Sequence, residues 1–136
     1  MNKDNLIIGY SKTKIDNKGR INLPKYFNPE PNKEVIIKKE VLAQEFGLRI
    51  YHFDEYYQII EKLLILKDNT KELEENIKIT LKIQEICKEL EQKIKIDAKK
   101  RILIPKLILD EINFLSQDEI LFRGEGDSLL IRKTKK

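Results

Sequence analysis

Cysteine occurs once in these 136 residues, at Cys87, and histidine once, at His52. A single cysteine cannot build an intramolecular disulfide framework, so the chain suits a reducing cytosol and Cys87 reads as a buried helix residue. A single histidine without a neighbouring cysteine supplies no usual ligand set for a metal, and His52 reads as a strand-end or interface residue. No apolar run approaches the roughly 18 residues of a membrane span. The N-terminus leads into only a short apolar patch at residues 6–8, which argues against a secretory signal. The stretch Gly124-Glu-Gly-Asp127 is too short for a phosphate loop and predicts a hairpin turn between strands at 120–122 and 129–131. Asp16 and Asp97 are two carboxylates at matching positions. Each is surrounded by lysine rather than by the small residues that would let a substrate approach. The expectation is a cytoplasmic protein that is not an enzyme, with no cofactor, metal, small-molecule substrate or membrane partner.

What is present is charge and aliphatic residues, 37% and 40% hydrophobic, enough for one ordinary domain or two small halves sharing a core. Each half alone is near the size at which a single core becomes marginal, so the halves need each other or an oligomer. An internal repeat makes the halves explicit. Lys14-Ile-Asp-Asn-Lys-Gly-Arg-Ile-Asn-Leu-Pro-Lys25 aligns without gaps on Lys95-Ile-Asp-Ala-Lys-Lys-Arg-Ile-Leu-Ile-Pro-Lys106, identical at eight of twelve positions. Looser echoes follow, 34–38 resembling 119–123 and 48–51 resembling 129–132.

Physically the repeat reads as strand, turn, strand and short helix. Asp16-Asn-Lys-Gly19 is a turn signal, in which asparagine and glycine tolerate positive φ. Ile21 and Leu23 alternate with Arg20 and Asn22, which puts the apolar pair on one face. Pro24 ends the strand and suits the first turn of a helix. In the second copy Ile102, Leu103 and Ile104 are apolar in succession, which implies burial on both faces or apolar contact with another subunit. Leu107, Ile108, Leu109 and Ile112 predict a short helix with a buried stripe. Lys100 stands where the first copy has Gly19; either it carries modest strain at positive φ or the second turn has another geometry.

Between the copies, Tyr56, Ile59, Ile60, Leu63 and Leu64 have the spacing of one helix face. Asn69 with Glu72 resembles a capping box opening a second helix that runs through Leu73, Ile77, Leu81, Ile83, Ile86 and Leu90. Tyr56 and Tyr57 begin the first helix as core or interface residues. The predicted organisation is therefore α+β, with a first repeat at 1–53, a helical hairpin at 54–92 and a second repeat at 93–136, forming one pseudo-twofold domain.

Net charge is only +4, but residues 12–25 carry +4 and residues 93–106 carry +5, leaving −5 for the remainder. Cations gathered at matched positions of both copies are what an electrostatic footprint for a polyanion requires.

The segment Ile8-Gly-Tyr-Ser-Lys-Thr-Lys-Ile-Asp-Asn-Lys-Gly-Arg-Ile-Asn-Leu-Pro-Lys-Tyr-Phe27, with the later Asp97-Ala-Lys-Lys-Arg-Ile-Leu-Ile-Pro105, resembles the MraZ family of bacterial transcriptional regulators linked to the division and cell-wall gene cluster. Order, length and spacing agree over nearly the whole chain. The resemblance implies an AbrB-like swapped-hairpin β-barrel made within one chain and assembly of protomers into a ring-like homo-oligomer larger than a dimer. It also implies binding to short repeated promoter elements, with Arg20 and Arg101 implicated in DNA binding and nucleoid association as the consequence.

By chemistry, Arg20 and Arg101 can make bidentate contacts to phosphate or guanine. Lys14, Lys18, Lys95, Lys99 and Lys100 complete the predicted double-stranded DNA contact set, with Lys18, Lys99 and Lys100 on backbone phosphates. Asp16 and Asp97 would be repelled by DNA, so they hold the turn or orient the arginine four residues on. An internal Asp–Arg ion pair that only braces the turn is the bland alternative, and both can hold together. Three functions fit: a sequence-specific regulator; an AbrB-like antitoxin binding its own operator and a toxin; and a structural ring or scaffold. Against the second, antitoxins of this type usually carry one motif per chain and a disordered C-terminal tail.

Overall fold

The computed structural model describes residues 6–42, 45–88 and 92–134, with the backbone alone at 42, 87 and 88. The expected burial of Cys87 therefore lies outside the described side chains. In each repeat, alternation yields two short strands on either side of the aspartate loop. The first repeat has β1 (Tyr10–Lys14) and β2 (Arg20–Asn22), the second β5 (Gln92–Lys95) and β6 (Arg101–Leu103). Each pair is followed by proline and a helical turn, a single 3-10 turn at Lys25–Phe27 and α3 at Lys106–Glu111. A hairpin closes each copy, β3 (Glu34–Leu42) with β4 (Glu45–His52), and β7 (Glu119–Gly124) with β8 (Leu129–Lys133). The turn expected at residues 124–127 is the one joining β7 to β8.

The strands flanking each loop do not pair with each other. β1 pairs with β7 of the second copy and β5 with β3 of the first, while β2 and β6 pair with one another. Every ladder is antiparallel. The large sheet runs β1-β7-β8-β4-β3-β5 and β2-β6 forms a separate two-stranded ribbon. The ladders leave the six-stranded sheet open, with β1 and β5 at its edges. Among the described residues the architecture is α+β, with three α-helices and an antiparallel sheet.

The core is built from equivalent residues of the two copies: Ile15 with Ile96, Ile21 with Ile102, Leu23 with Ile104, and Leu48 and Ile50 with Leu129 and Ile131, all buried. Burying one such side chain is worth roughly 1.5–3 kcal/mol, so each copy's inward face stabilises the other's. Backbone specials repeat as well. Asn28 (φ 55°) and Asn32 (φ 70°) match Asn113 (φ 59°) and Gln117 (φ 70°). Asn28 lies four positions after Pro24, and Asn113 lies eight positions after Pro105. Those four extra residues, about one helical turn, make α3 where the first copy has only a 3-10 turn.

Between the copies lie α1 (Phe53–Asn69) and α2 (Leu73–Lys88). α1 packs on β3 and β4, and α2 against α1. The predicted capping box is absent, because Asn69 is the last residue of α1. The connection is held instead by Asn76, whose Nδ2 donates to the carbonyls of Lys67 (2.8 Å) and Thr70 (3.3 Å). Only Tyr56 of the predicted α1 stripe is buried; Ile59 and Leu64 are exposed, as are Tyr57, Leu73, Ile77 and Leu81. One sheet face can cover only one side of a two-helix hairpin. Two further expectations need correcting. Leu107 is exposed, since α3 turns Ile108 inward with Ile112 just beyond it. Leu103 is exposed on the outward face of β6, which removes burial on both faces and leaves the alternative of apolar contact with another subunit. His52 ends β4 as predicted, its ring stacked 4.0 Å from that of Phe27 and its Nε2 2.6 Å from the Phe27 carbonyl. Among the described residues no helix is long and apolar enough to cross a membrane.

Candidate nucleic-acid interface

The loop in each repeat is organised by its aspartate. Asp16 Oδ1 accepts from the backbone N–H groups of Lys18 (2.9 Å) and Arg20 (2.8 Å), and Oδ2 accepts from Arg20 Nε (2.7 Å). Asp97 repeats this bond for bond with Lys99, Arg101 and Arg101 Nε, each at 2.9 Å. The backbone closes identically: the N–H of Asp16 donates to the Arg20 carbonyl (3.0 Å) and that of Asp97 to Arg101 (2.9 Å). An aspartate is required because its short carboxylate reaches main-chain groups two and four residues on, forming an Asx turn. The carboxyl of Asp16 is held at about 2 by the Arg20 backbone N–H first, against some burial, with the Arg20 side chain and the Lys18 N–H adding to it. At Asp97 burial acts upward, but the Arg101 backbone and side-chain donors outweigh it and the pKa is lowered.

The two loops are also locked to each other. The N–H of Leu23 donates to the Lys100 carbonyl and that of Ile104 to the Gly19 carbonyl, both 3.1 Å. Gly19 and Lys100 occupy the same left-handed conformation, φ 84° and 63°, so the substitution leaves the turn geometry unchanged and places a lysine in backbone space that favours glycine. The first loop has a second reason for glycine: a Cβ at position 19 would lie 2.9 Å from Leu109 Cδ1 on α3. The shorter turn after Pro24 makes no such helix beside Lys100, which is exposed.

Between the loops, the β2-β6 ribbon is centred on Ile21 opposite Ile102, both fully buried. Its outward face carries Arg20 opposite Leu103 and Arg101 opposite Asn22. The arginines are thus diagonal neighbours, about 7–8 Å apart at the backbone. Each is tied through Nε, and neither has a partner at its terminal nitrogens among the described residues. The side chains are 28% and 19% accessible. A guanidinium held at Nε presents its other edge as a fork for two acceptors. Lys14, Lys18, Lys95, Lys99 and Lys100 are all exposed and, among the described residues, form no ion pair. Lys14 stands opposite Glu119 and Lys95 opposite Glu34 in the ladders, at the ends of β1 and β5 that lead into the loops.

All nine predicted site residues therefore belong to two matching loops and the strand ends leading into them. Sequence reasoning passed over Asn22 and Leu103. The period-2 alternation already put Asn22 on the face of Arg20 and Leu103 on that of Arg101, and only the ladder put Asn22 beside Arg101.

The chain matches no family model and no curated protein. Among solved structures it is similar to the solution structure of PHS018 from Pyrococcus horikoshii, at 15% identity over 96% of each chain and a TM-score of 0.43, a likeness that bears on neither fold class nor function.

Proposed function

We propose that this chain is a sequence-specific, double-stranded-DNA-binding transcriptional regulator whose contacts are made by the two aspartate-organised loops and the ribbon between them. One observation carries the reading. The same hydrogen-bond set recurs in both copies and leaves two guanidinium forks on one outward face, with exposed, unpaired lysines flanking them. A brace alone would not require both arginines to share an exposed face beside cations. The interlocked strands fit an AbrB-like swapped-hairpin arrangement of the two repeats. The exposed apolar residues of α1 and α2, among them Tyr57, Leu73, Ile77 and Leu81, favour a ring-like homo-oligomer above a dimer. In this reading the protein is cytoplasmic, nucleoid-associated and not an enzyme, and it acts on repeated promoter elements such as those of a division and cell-wall cluster.

A binding assay on the DNA upstream of the chain's own coding region, with scrambled DNA as competitor, tests the proposal. Retention of the upstream fragment against excess competitor is expected. Equal competition by scrambled DNA would leave a non-specific polyanion binder, and no retention at all would leave a scaffold.

A further inference from the structure

A two-stranded ribbon with exact twofold symmetry would present the same side chains to both halves of a DNA element and so select a palindrome. This ribbon is symmetric in its backbone and in its arginines, but not in the two residues between them. Position 22 is asparagine and its equivalent, 103, is leucine; both are exposed and both share the outward face with the arginines. Leu103 is 55% exposed in a strand whose neighbours Ile102 and Ile104 are buried, so packing within the chain does not account for an apolar side chain there. The register pairs each of the two with the arginine of the opposite repeat, Asn22 with Arg101 and Leu103 with Arg20. The face therefore carries one polar half, Arg101 with Asn22, and one half-apolar half, Arg20 with Leu103.

From this geometry we infer that Asn22 and Leu103 are specificity-determining residues that make the recognised element directional. The inference rests on the DNA-binding reading above. A two-stranded ribbon fits the major groove, where an arginine fork matches guanine O6 and N7, an asparagine amide matches adenine N6 and N7, and an apolar side chain meets the thymine methyl. Directly opposite side chains lie about 5 Å apart, close enough for Arg101 and Asn22 to address neighbouring base pairs. The diagonal between the arginines, about 7–8 Å, is near two base-pair rises of about 3.4 Å each. The ribbon thus reads guanine with adenine at one end and guanine with thymine at the other. A directional element lets a protein with a near-symmetric fold bind in one orientation relative to a start site.

The test is selection from a randomised double-stranded DNA pool by the full chain and by Asn22→Leu, Leu103→Asn, Asn22→Ala and Leu103→Ala, each first checked for an unchanged melting temperature. The wild type should enrich an asymmetric element. Leu103→Asn should enrich a palindrome with adenine in both halves, and Asn22→Leu a palindrome without it. The alanine variants, which add nothing new to the face, should lose discrimination at their own half only, by about tenfold for Asn22. Deoxyuridine in place of thymidine in the Leu103 half should weaken wild-type binding about fourfold, the worth of one buried methyl group, and should leave Leu103→Ala unaffected. The same enriched element from all five proteins would overturn the inference while leaving the DNA-binding reading intact. A failure of every protein, wild type included, to enrich any element would remove both.

Discussion

Asp16 accepts two backbone N–H groups and the Arg20 side chain at once, so its ionised form is part of the loop's architecture. Its folded pKa, about 2, is below the ordinary 3.8. A depressed carboxyl stabilises the fold above its unfolded pKa and loses that contribution as pH falls through the folded value. Asp16→Asn should therefore lower the melting temperature near neutral pH. The gap to the wild type should close between about pH 5 and pH 2, which a series of thermal melts measures; a gap independent of pH would show that the charge is not what the loop uses. Arg20 separates the bracing role from the binding role. Arg20→Ala should weaken operator binding by roughly 1–3 kcal/mol if a base contact is lost, yet cost only about 0–1 kcal/mol of stability, the range of a solvent-exposed ion pair. Arg20→Lys should recover non-specific affinity more than operator preference, because lysine restores charge without the fork. Affinity and melting temperature measured on the same variants decide it: a large stability loss with specificity intact would reduce Arg20 and Arg101 to braces.

The loop-and-ribbon element shows how two copies with the same local grammar become unequal. Lys100 takes the conformation of Gly19 at φ 63°, where a side chain is unfavourable. Lys100→Gly should raise stability by about 0.5–1 kcal/mol while weakening polyanion binding, seen as opposite changes in denaturant midpoint and DNA affinity. Gly19→Lys is not the reverse of that change, since Leu109 stands where its side chain would begin. The helical pair is the counter-case at this scale. Its sequence period predicted the two helices but not their burial: a hairpin resting on β3 and β4 through one helix buries Tyr56 and leaves Ile59, Leu64, Ile77 and Leu81 in the open.

Across the whole molecule, charge is segregated by the fold as it was along the chain. The two repeats hold the excess cations, and the rest of the chain is net acidic. Binding should fall with salt at a log–log slope of about −0.9 per phosphate neutralised. In an assembly of several protomers the slope should exceed what one pair of loops could produce. DNA with several spaced elements should bind far more tightly than a single element, because tethered sites raise the effective concentration. Fluorescence titrations at stepped salt on one-element and three-element duplexes test this, and equal affinities for the two would defeat it. Light scattering at micromolar concentration gives the companion measurement, where a clean monomer would remove the ring.

The repeat, the α+β class, the order of elements, the turn at residues 124–127 and the aspartate-organised loops were legible in the residues themselves. Each rests on local chemistry: alternation, turn residues, the reach of a carboxylate to nearby N–H groups. Strand partnership was not. A period-2 pattern states which face of a strand is buried and leaves open which strand lies beside it; for β1, β2, β5 and β6 the partner came from the other repeat, between 55 and 113 residues away in the chain. The exposure of Leu103 on the outward face of the ribbon follows from that long-range pairing. So does the juxtaposition of Asn22 with Arg101. Local residue chemistry determined the two loops, and tertiary pairing decided what stands next to each of them, because a hydrogen-bonded ladder joins segments whose separation in sequence carries no record of the contact.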